Sequence, residues 1–428
     1  HMPGHKGQPF LGFENWDITE VQGADALFEA DGILRESEEN ATGLFGSRRT
    51  FYSTEGSSHC IRAMLYLALT NRPAGAAPLV VAARNVHRAF VSAAALLDLE
   101  VAWLWPEESR SLCGCPISPQ QLEKTLKRLP APPAAVYLTS PDYLGGMGEI
   151  AALSQVCHRF GTLLAVDNAH GAYLRFLSPS LHPLDLGADL CCDSAHKTLP
   201  VLTGGAYLHI AKTAPASLAE NGKTALALFG STSPSYLTLC SLDQCNRYLA
   251  EGYPARLQET AAQLEALRAQ LRQAGWQVEE SDPLRVTLRA VEGLSGQALA
   301  QRLRQGGVEC EYADQDFLVL MATPENTRED FERVLAALGE TRLPPSLLPC
   351  LPLARGRRVC SIRQALFAPH ELVPAESSLG RVCGIPTVGC PPAVPIAVAG
   401  EEIGPEALEL FRRYGVHRVD VLSQAPSH

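Results

Sequence analysis

The sequence has no long hydrophobic run and no excess of positive charge. Its apolar stretches, such as Ala93-Ala94-Ala95-Leu96-Leu97, are far shorter than the roughly 20 residues that a bilayer-spanning helix needs. The formal net charge is -10, whereas nucleic acids and anionic membranes are bound by clustered Lys and Arg. We therefore expect neither a nucleic acid nor a membrane as a partner.

Motifs typical of disulfide frameworks, zinc sites and hydrolases are missing too. The 13 cysteines include no C-x-x-C pair, and an odd number without a repeating spacing is a poor disulfide framework. No H-E-x-x-H motif is present, and no G-x-S-x-G motif surrounds Ser140. With no signal peptide visible either, we expect reduced thiols in a cytoplasmic protein that holds no metal ion.

What the sequence does contain is an alternation of short apolar segments with helical ones. Segments without polar alternation, separated by helices, indicate a mostly parallel sheet that is covered on both faces. The predicted fold class is therefore α/β. Strands are predicted over residues 50–54, 79–83, 134–139, 162–166, 190–193 and 205–210, and the first helix over 24–45.

The length of 428 residues indicates two or three domains. A large domain over 1–275 ends after a long helix at about 254–274, which Gly275 terminates. A small α+β domain over 276–342 follows. A Pro-rich linker then leads into a C-terminal domain over 343–428, which contains a predicted strand at Ile396-Ala397-Val398.

Polar side chains collect where the predicted strands of the large domain end. In parallel sheets, ligands bind at the carboxyl ends of the strands. This convergence predicts a binding site at that edge. The residues are Ser57, Ser58, His87, Ser140, Asp167, Ser194, His196 and Lys197.

Lys197 and Asp167 are the candidates for chemistry at this edge. Burial lowers the pKa of a lysine and makes its amine nucleophilic enough to form a Schiff base. An aspartate at a neighbouring strand end can pair with the pyridine nitrogen of pyridoxal 5′-phosphate (PLP) and keep it protonated. The alternative interpretations are a surface lysine and a helix-capping aspartate.

A turn of small residues predicts the site for a phosphate. Gly56-Ser57-Ser58 precede a helix, where amide groups, hydroxyls and the helix dipole attract anions. Ser194 and His196 flank the lysine and can add contacts from the other side, while the imidazole of His87 can lie flat on a planar ring. Ordinary helix capping and a core histidine are the alternatives.

Several motifs in order resemble the Orn/Lys/Arg decarboxylase family, which belongs to the fold-type-I, aspartate aminotransferase-like PLP enzymes. The resemblance covers nearly the whole chain. Its motifs are Met2-Pro3-Gly4-His5-Lys6-Gly7, Asp17-Ile18-Thr19-Glu20, Phe45-Gly46-Ser47, Gly56-Ser57-Ser58, Arg84-Asn85-Val86-His87-Arg88, Asp167-Asn168-Ala169-His170-Gly171, Ser194-Ala195-His196-Lys197-Thr198-Leu199-Pro200 and Ser231-Thr232-Ser233-Pro234-Ser235-Tyr236.

The resemblance implies a role for each matched position. It implies a seven-stranded sheet, Lys197 as the Schiff-base lysine, Asp167 on the pyridine nitrogen and His87 on the ring. It also implies that Thr232 and Ser233 reach the site of a neighbouring subunit, so that the enzyme is a homodimer with shared active sites. The cofactor-binding set is Gly56, Ser57, Ser58, His87, Asp167, Ala169, His170, Ser194, His196, Lys197, Thr232 and Ser233.

The implied reaction is the PLP-dependent decarboxylation of arginine, lysine or ornithine to the amine and CO2. The catalytic residues are then Lys197, Asp167 and His196, and Glu401 is the candidate that meets the cationic tail of the substrate. An aminotransferase or another PLP enzyme of this fold, and a non-catalytic PLP-binding homologue, are the alternatives.

The sequence departs from the family near the region that contacts the substrate side chain. Cys390 stands where family members often have Tyr, and Ala399 precedes Gly400-Glu401 where they often have Pro. The large N-terminal wing of the acid-inducible enzymes is not in this sequence, which implies the short, biosynthetic-type branch. The M-P-G-H-K-G motif so close to the start leads us to expect a natural chain that begins earlier.

Overall fold

A computed structural model describes residues 2–108, 111–346, 351, 353–386 and 392–424. The chain forms two compact units. The first comprises residues 1–82, 118–140 and 149–254, and the second comprises 83–117, 141–148 and 255–428. The division into three domains at residues 275 and 342 stays a prediction. Cys390 and Pro391 lie outside the described residues.

The strands belong to three sheets. In chain order they are β1 (Arg49–Ser53), β2 (Leu79–Ala83), β3 (Glu100–Leu104), β4 (Ala135–Thr139), β5 (Leu163–Asp167), β6 (Leu190–Asp193), β7 (Ala206–Ile210), β8 (Val278–Glu279), β9 (Arg285–Arg289), β10 (Tyr312–Ala313), β11 (Phe317–Met321), β12 (His370–Pro374) and β13 (Arg418–Leu422). The central sheet has seven strands in the order β1-β7-β6-β5-β4-β2-β3, as the family resemblance implied.

The central sheet is mostly parallel. Strand β5 runs parallel to β4 and to β6, and β4 runs parallel to β2. Strand β7 runs antiparallel to both β6 and β1. In the register between β4 and β5, Thr139 pairs with Asp167, so polar residues meet where these two strands end. This confirms the predicted α/β class.

Helices alternate with the strands along the chain. They are α1 (Ile33–Phe45), α2 (Gly56–Thr70), α3 (Arg88–Leu96), α4 (Pro119–Leu126), α5 (Ile150–Arg159), α6 (Ala195–Thr198), α7 (Ala216–Glu220), α8 (Gly222–Ala227), α9 (Tyr236–Ala250), α10 (Tyr253–Gln273), α11 (Gly296–Gln305), α12 (Arg328–Leu338), α13 (Ile362–Leu366) and α14 (Pro405–Arg413), with 3-10 turns at Glu14–Trp16, Ala172–Phe176 and Ala375–Ser378. Gly275 follows α10 with φ +93°, as expected for a helix end.

The predicted first helix begins later than expected. Helix α1 starts at Ile33 and not at residue 24, because Asp25 adopts a left-handed backbone conformation with φ 64°. Its carboxylate accepts hydrogen bonds from the backbone amides of Gly32 and Leu34 at 2.9 and 3.0 Å. An aspartate that bonds to nearby amides in this way competes with the helix.

The second unit contains two smaller sheets. One is four-stranded, in the order β10-β11-β9-β8, and the other pairs β12 with β13 antiparallel. The prediction of a strand at Ile396-Ala397-Val398 is wrong, since these buried residues form no strand and Ala397 makes only an isolated β-bridge. Among the described residues, no helix combines the length and the apolar character that a bilayer span requires.

Candidate active site

Lys197 lies on the short helix α6, which follows β6 directly. The helix begins after Ser194, and the Lys197 amide donates to the Ser194 carbonyl at 3.1 Å. The Lys197 amine is partly buried and lies 2.8 Å from Nε2 of His170. The structure therefore brings together two side chains of the predicted set that stand 27 positions apart in the sequence.

Asp167 is the last residue of β5 and is 3% exposed. Its carboxylate accepts hydrogen bonds from the Ala169 amide and from the Tyr137 hydroxyl, both at 3.2 Å. Burial raises the pKa of Asp167, and the Ala169 amide and the charge of Lys197 offset only part of that rise. A buried carboxylate of this kind is stabilised in its charged form by a cation placed against it.

A cradle of hydroxyl and amide groups forms at the start of α2. The Ser194 hydroxyl donates to the Ser57 hydroxyl at 2.8 Å, so the two predicted phosphate contacts meet. Gly56 opens the helix with φ +73°, and the first amides of a helix have no carbonyl partner within it. Hydroxyls and amides at a helix start suit a phosphate.

The other residues of the predicted set are placed as follows. His196 is partly buried, and its Nδ1–H donates to the Gly205 carbonyl at 3.0 Å. Thr232 and Ser233 are exposed, in a loop whose Ser231 amide donates to Glu55 at 2.6 Å. Glu55 directly precedes the Gly56-Ser57-Ser58 turn, so this loop lies beside the cradle.

The donor set of the first unit fits PLP. An amine, a buried carboxylate and paired hydroxyls match the aldehyde, the pyridine nitrogen and the phosphate of this cofactor. In addition, Thr139 Oγ1 and Thr198 Oγ1 are buried atoms that bond to no other described residue. Such orphaned hydroxyls beside Asp167 and Lys197 are expected where a polar ligand belongs.

Tyr137 and Thr139 were not singled out from the sequence. Both belong to β4, inside an apolar segment that reads as ordinary sheet core. Only the register of β4 against β5 places the Tyr137 hydroxyl on Asp167 and Thr139 opposite it. The signal available in the sequence was a Tyr and a Thr two positions apart at the end of a predicted strand.

His87 and Glu401 belong to the second unit. His87 caps α3, where its side chain accepts a hydrogen bond from the Ala89 amide. Its stacking on a cofactor ring stays a prediction. The Glu401 carboxylate is 6% exposed; it accepts hydrogen bonds from Arg84 at 3.4 Å and from the Val398 amide at 3.0 Å.

Comparisons with known proteins define the class. The model of the family described as "Orn/Lys/Arg decarboxylase, major domain" matches residues 7–291. Uncharacterized protein YaaO of Bacillus subtilis (strain 168) is 26% identical over 96% of this chain and 90% of its own length. Arginine decarboxylase of the same strain is 26% identical over 95% of this chain and 88% of its own length.

A solved structure shares the fold over nearly the whole chain. The Escherichia coli constitutive lysine decarboxylase superposes with a TM-score of 0.79 at 17% identity, covering 99% of this chain and 79% of its own. Sphingomonas wittichii serine palmitoyltransferase gives 0.55 at 16% identity over 71% of this chain and 74% of its own. At these identities the likeness shows the fold, and it confirms the fold-type-I prediction.

The chain is therefore an enzyme of the decarboxylase class. It belongs to the Orn/Lys/Arg decarboxylase family, since the family model covers well over half of it. The predicted family is confirmed.

Proposed function

We propose that this chain binds PLP and decarboxylates a basic amino acid, with arginine as the first candidate. The observation that carries the proposal is the grouping of Lys197, Asp167, Ser57 and Ser194 at strand and helix ends of one unit. Family membership supplies the reaction class. Relatives that align over most of their length with this chain and are named arginine decarboxylase support the choice of arginine.

Four residues are proposed to hold the cofactor. Lys197 takes the aldehyde, Asp167 the pyridine nitrogen, and Ser57 with Ser194 the phosphate. PLP, when bound, supplies a protonated ring that takes up the electrons released as the bond between Cα and the carboxylate breaks. The Asp167 carboxylate stabilises the proton on the pyridine nitrogen. The positive charge of that nitrogen in turn offsets the free-energy cost of burying the Asp167 carboxylate.

The reaction also needs a group that donates a proton to Cα. We assign the return of a proton to Cα to Lys197 or His196, both of which lie on α6. The Nδ1–H of His196 donates to the Gly205 carbonyl, which leaves Nε2 as the nitrogen that exchanges a proton. His170 holds the Lys197 amine at hydrogen-bond distance, so the lysine enters the reaction already oriented.

A homodimer with shared sites and a cytoplasmic location are part of the proposal. The exposed Thr232 and Ser233 beside the cradle support the first. The cysteines that the structure describes are free thiols, most of them buried, which fits a reducing compartment.

The test uses the full chain purified with PLP. We expect a visible absorption band from the lysine-bound cofactor, and CO2 together with the matching amine when arginine is supplied; lysine and ornithine are run in parallel. Absence of the band in both the wild type and Lys197→Ala would overturn cofactor binding. A band with transfer of the amino group but no CO2 would overturn only the decarboxylation.

A further inference from the structure

A buried anion lies directly before the lysine helix. Asp193 ends β6 and is 0% exposed, as are His182 and His209. Both imidazole Nε2 atoms lie 3.1 Å from the same carboxylate oxygen, Oδ2. On the other oxygen, Asn168 Nδ2 donates at 2.7 Å.

The hydrogen bonds of the two imidazoles indicate which nitrogen carries the proton. The Leu184 amide, which can only donate, points at Nδ1 of His182 at 3.4 Å. Thr50 Oγ1 lies 2.8 Å from Nδ1 of His209, and Ser47 Oγ lies 2.8 Å from Thr50. Because Nδ1 of His182 accepts from that amide, the neutral ring carries its hydrogen on Nε2 and donates it to Asp193. We assign the same form to His209, in which the Thr50 hydroxyl donates to Nδ1 and Nε2–H donates to Asp193.

The charge therefore resides on Asp193. Burial alone would raise the pKa of Asp193, but the two imidazoles that face it hold that pKa well below its usual range. Burial lowers the pKa of His209 against the opposing effect of Asp193, which keeps that ring neutral. Phe45 packs against both imidazoles, with ring centroids 5.8 and 4.5 Å away, so water has little access to the anion.

These three side chains are of the kind that hold metal ions. A metal on the two Nε2 atoms would need the hydrogens moved to Nδ1, where His182 faces an amide that cannot accept. A metal ion therefore fits the hydrogen-bond pattern poorly, whereas a carboxylate surrounded by donors fits it fully.

The anion is bonded to the turn that carries the cofactor residues. Asn168 stands between Asp167 and the Ala169-His170 pair, and its own amide donates to the Cys192 carbonyl at 3.0 Å. The Ser194 amide donates to the Ala169 carbonyl at 3.3 Å. Asp193 thus ties the end of β5 to the start of α6, which carry Asp167 and Lys197.

We propose that Asp193, held ionised by His182 and His209, is a positioning residue that sets the spacing of Asp167, His170 and Lys197 for the cofactor. The inference rests on the proposed PLP site. Among the described residues, the network is bonded to the proposed site through Asn168 and through the backbone of Ser194.

A matched control lies at the other end of the same strand. Asp189 precedes β6 and is 4% exposed; it accepts hydrogen bonds from His158 at 3.0 Å and from the Leu164 amide at 2.8 Å. Asp193→Asn and Asp189→Asn each remove the charge of a buried aspartate that bonds to histidine, although His158 beside Asp189 is exposed. Of the two, only Asp193 bonds to Asn168, which lies in the turn that carries residues proposed to bind PLP.

The test measures the PLP dissociation constant of each apoprotein by absorbance titration, together with its melting temperature. Both variants should melt below the wild type. Asp193→Asn should raise the PLP dissociation constant about tenfold, the scale of one lost hydrogen bond to a buried charge. Asp189→Asn should leave it within about twofold. An equal effect of the two variants, or no effect of either, would overturn the proposal.

Three further measurements cover the remaining outcomes. If Asp193→Asn does not fold, Asn168→Ala cuts the same link while Asp193 keeps both imidazoles, and wild-type PLP affinity in that variant contradicts the proposal. Nitrogen-15 spectra of the imidazoles test the Nε2–H forms without any cofactor. If the wild type fails to bind PLP, the proposed function fails, while those spectra still decide the protonation of the two imidazoles. A content of one equivalent of bound metal per chain would overturn the proposal about Asp193.

Discussion

The Lys197 amine and Nε2 of His170 lie 2.8 Å apart, and they reach each other from the ends of two neighbouring parallel strands. His170 stands three positions after the end of β5, and Lys197 four positions after the end of β6. An amine beside a ring nitrogen is held in one orientation and can exchange a proton with it. The hydrogen bond between these two strand ends therefore restricts the Lys197 amine to fewer orientations than the flexible lysine side chain alone would adopt.

The first prediction concerns this lysine. Lys197→Ala should abolish the cofactor absorption band and lower decarboxylation on the order of 10⁴-fold or more, because the covalent contact is lost. Lys212→Ala, at an exposed lysine that follows β7, is the control and should behave like the wild type. Activity within tenfold of the wild type in Lys197→Ala would show that another amine carries the chemistry.

A second prediction concerns His170. His170→Ala should lower the turnover on the order of 10²-fold. This is the lower end of the range expected when a group that transfers a proton is lost. The cofactor band should persist, since Lys197 remains. Stopped-flow absorbance and CO2 release measure the two effects separately, and loss of the band itself would show that His170 is needed for cofactor attachment.

Substitution of Asp167 is expected to raise the stability of the apoprotein and to lower its activity. Its pKa is raised chiefly by burial, so at a pH above that pKa its ionisation costs the folded apoprotein stability, and this cost disappears as the pH falls through it. Asp167→Asn should therefore melt higher than the wild-type apoprotein at pH 8, and decarboxylate on the order of 10³-fold more slowly because the ring nitrogen loses its counter-charge. Melting below the wild type at that pH would contradict the first half.

The sequence predicts most of the central sheet because its inner strands are continuous apolar runs. Strands β2 and β6 match their predicted bounds, and β5 begins and ends within one residue of them. Strand β3 was missed, since Glu100–Leu104 lies at the edge of the sheet and begins with an exposed charge. A half-exposed edge strand lacks the apolar run that marks a buried one.

The candidate site was predictable where residues sit within one motif. Ser194, His196 and Lys197 are a single run, and the motif that contains Asp167 and His170 is another. The Asp193 network was not predictable, because His182 and His209 come from a loop and from an antiparallel strand. Only the register of β6 against β7 and the fold of the loop place both imidazoles on one carboxylate oxygen.

The buried pair of Arg84 and Glu401 gives a prediction about the stability of the second unit. Arg84 donates to the carbonyls of Pro395 and Ile396 at 2.8 and 3.1 Å as well as to Glu401. Arg84→Met leaves the Glu401 charge buried without its cation and should cost about 3–5 kcal/mol of stability. Chemical denaturation measures this loss.

Glu401→Gln separates a structural role from the predicted contact with the substrate tail. Since Arg84 already balances the Glu401 charge, we expect a lower free energy of unfolding and a KM for arginine within about twofold of the wild type. Glu402→Gln, at a more exposed carboxylate paired with Arg357, is the control. A tenfold rise in KM at unchanged stability would instead establish Glu401 as the substrate contact that the sequence predicted.

The last prediction is a pH dependence in the second unit. The Asp142 carboxylate accepts hydrogen bonds from the Leu144 and Gly146 amides at 2.9 and 2.8 Å. Burial raises the pKa of Asp142 to about 6, against the opposing amide bonds and the charge of Arg285. Because the folded pKa lies above the usual value, this group takes up a proton on folding near pH 5, and its contribution to stability is lost as the pH rises through about 6.

Asp142→Asn keeps an oxygen for the two amides and removes the titration. The variant should match the wild type near pH 4 and exceed its free energy of unfolding on the order of 3 kcal/mol at pH 8, as a shift of about two pKa units implies. Urea denaturation at a series of pH values measures the difference, and Asp98→Asn, at an exposed aspartate, is the control that should show none. A difference that shrinks as the pH rises would mean that Arg285 outweighs burial and that Asp142 is ionised throughout.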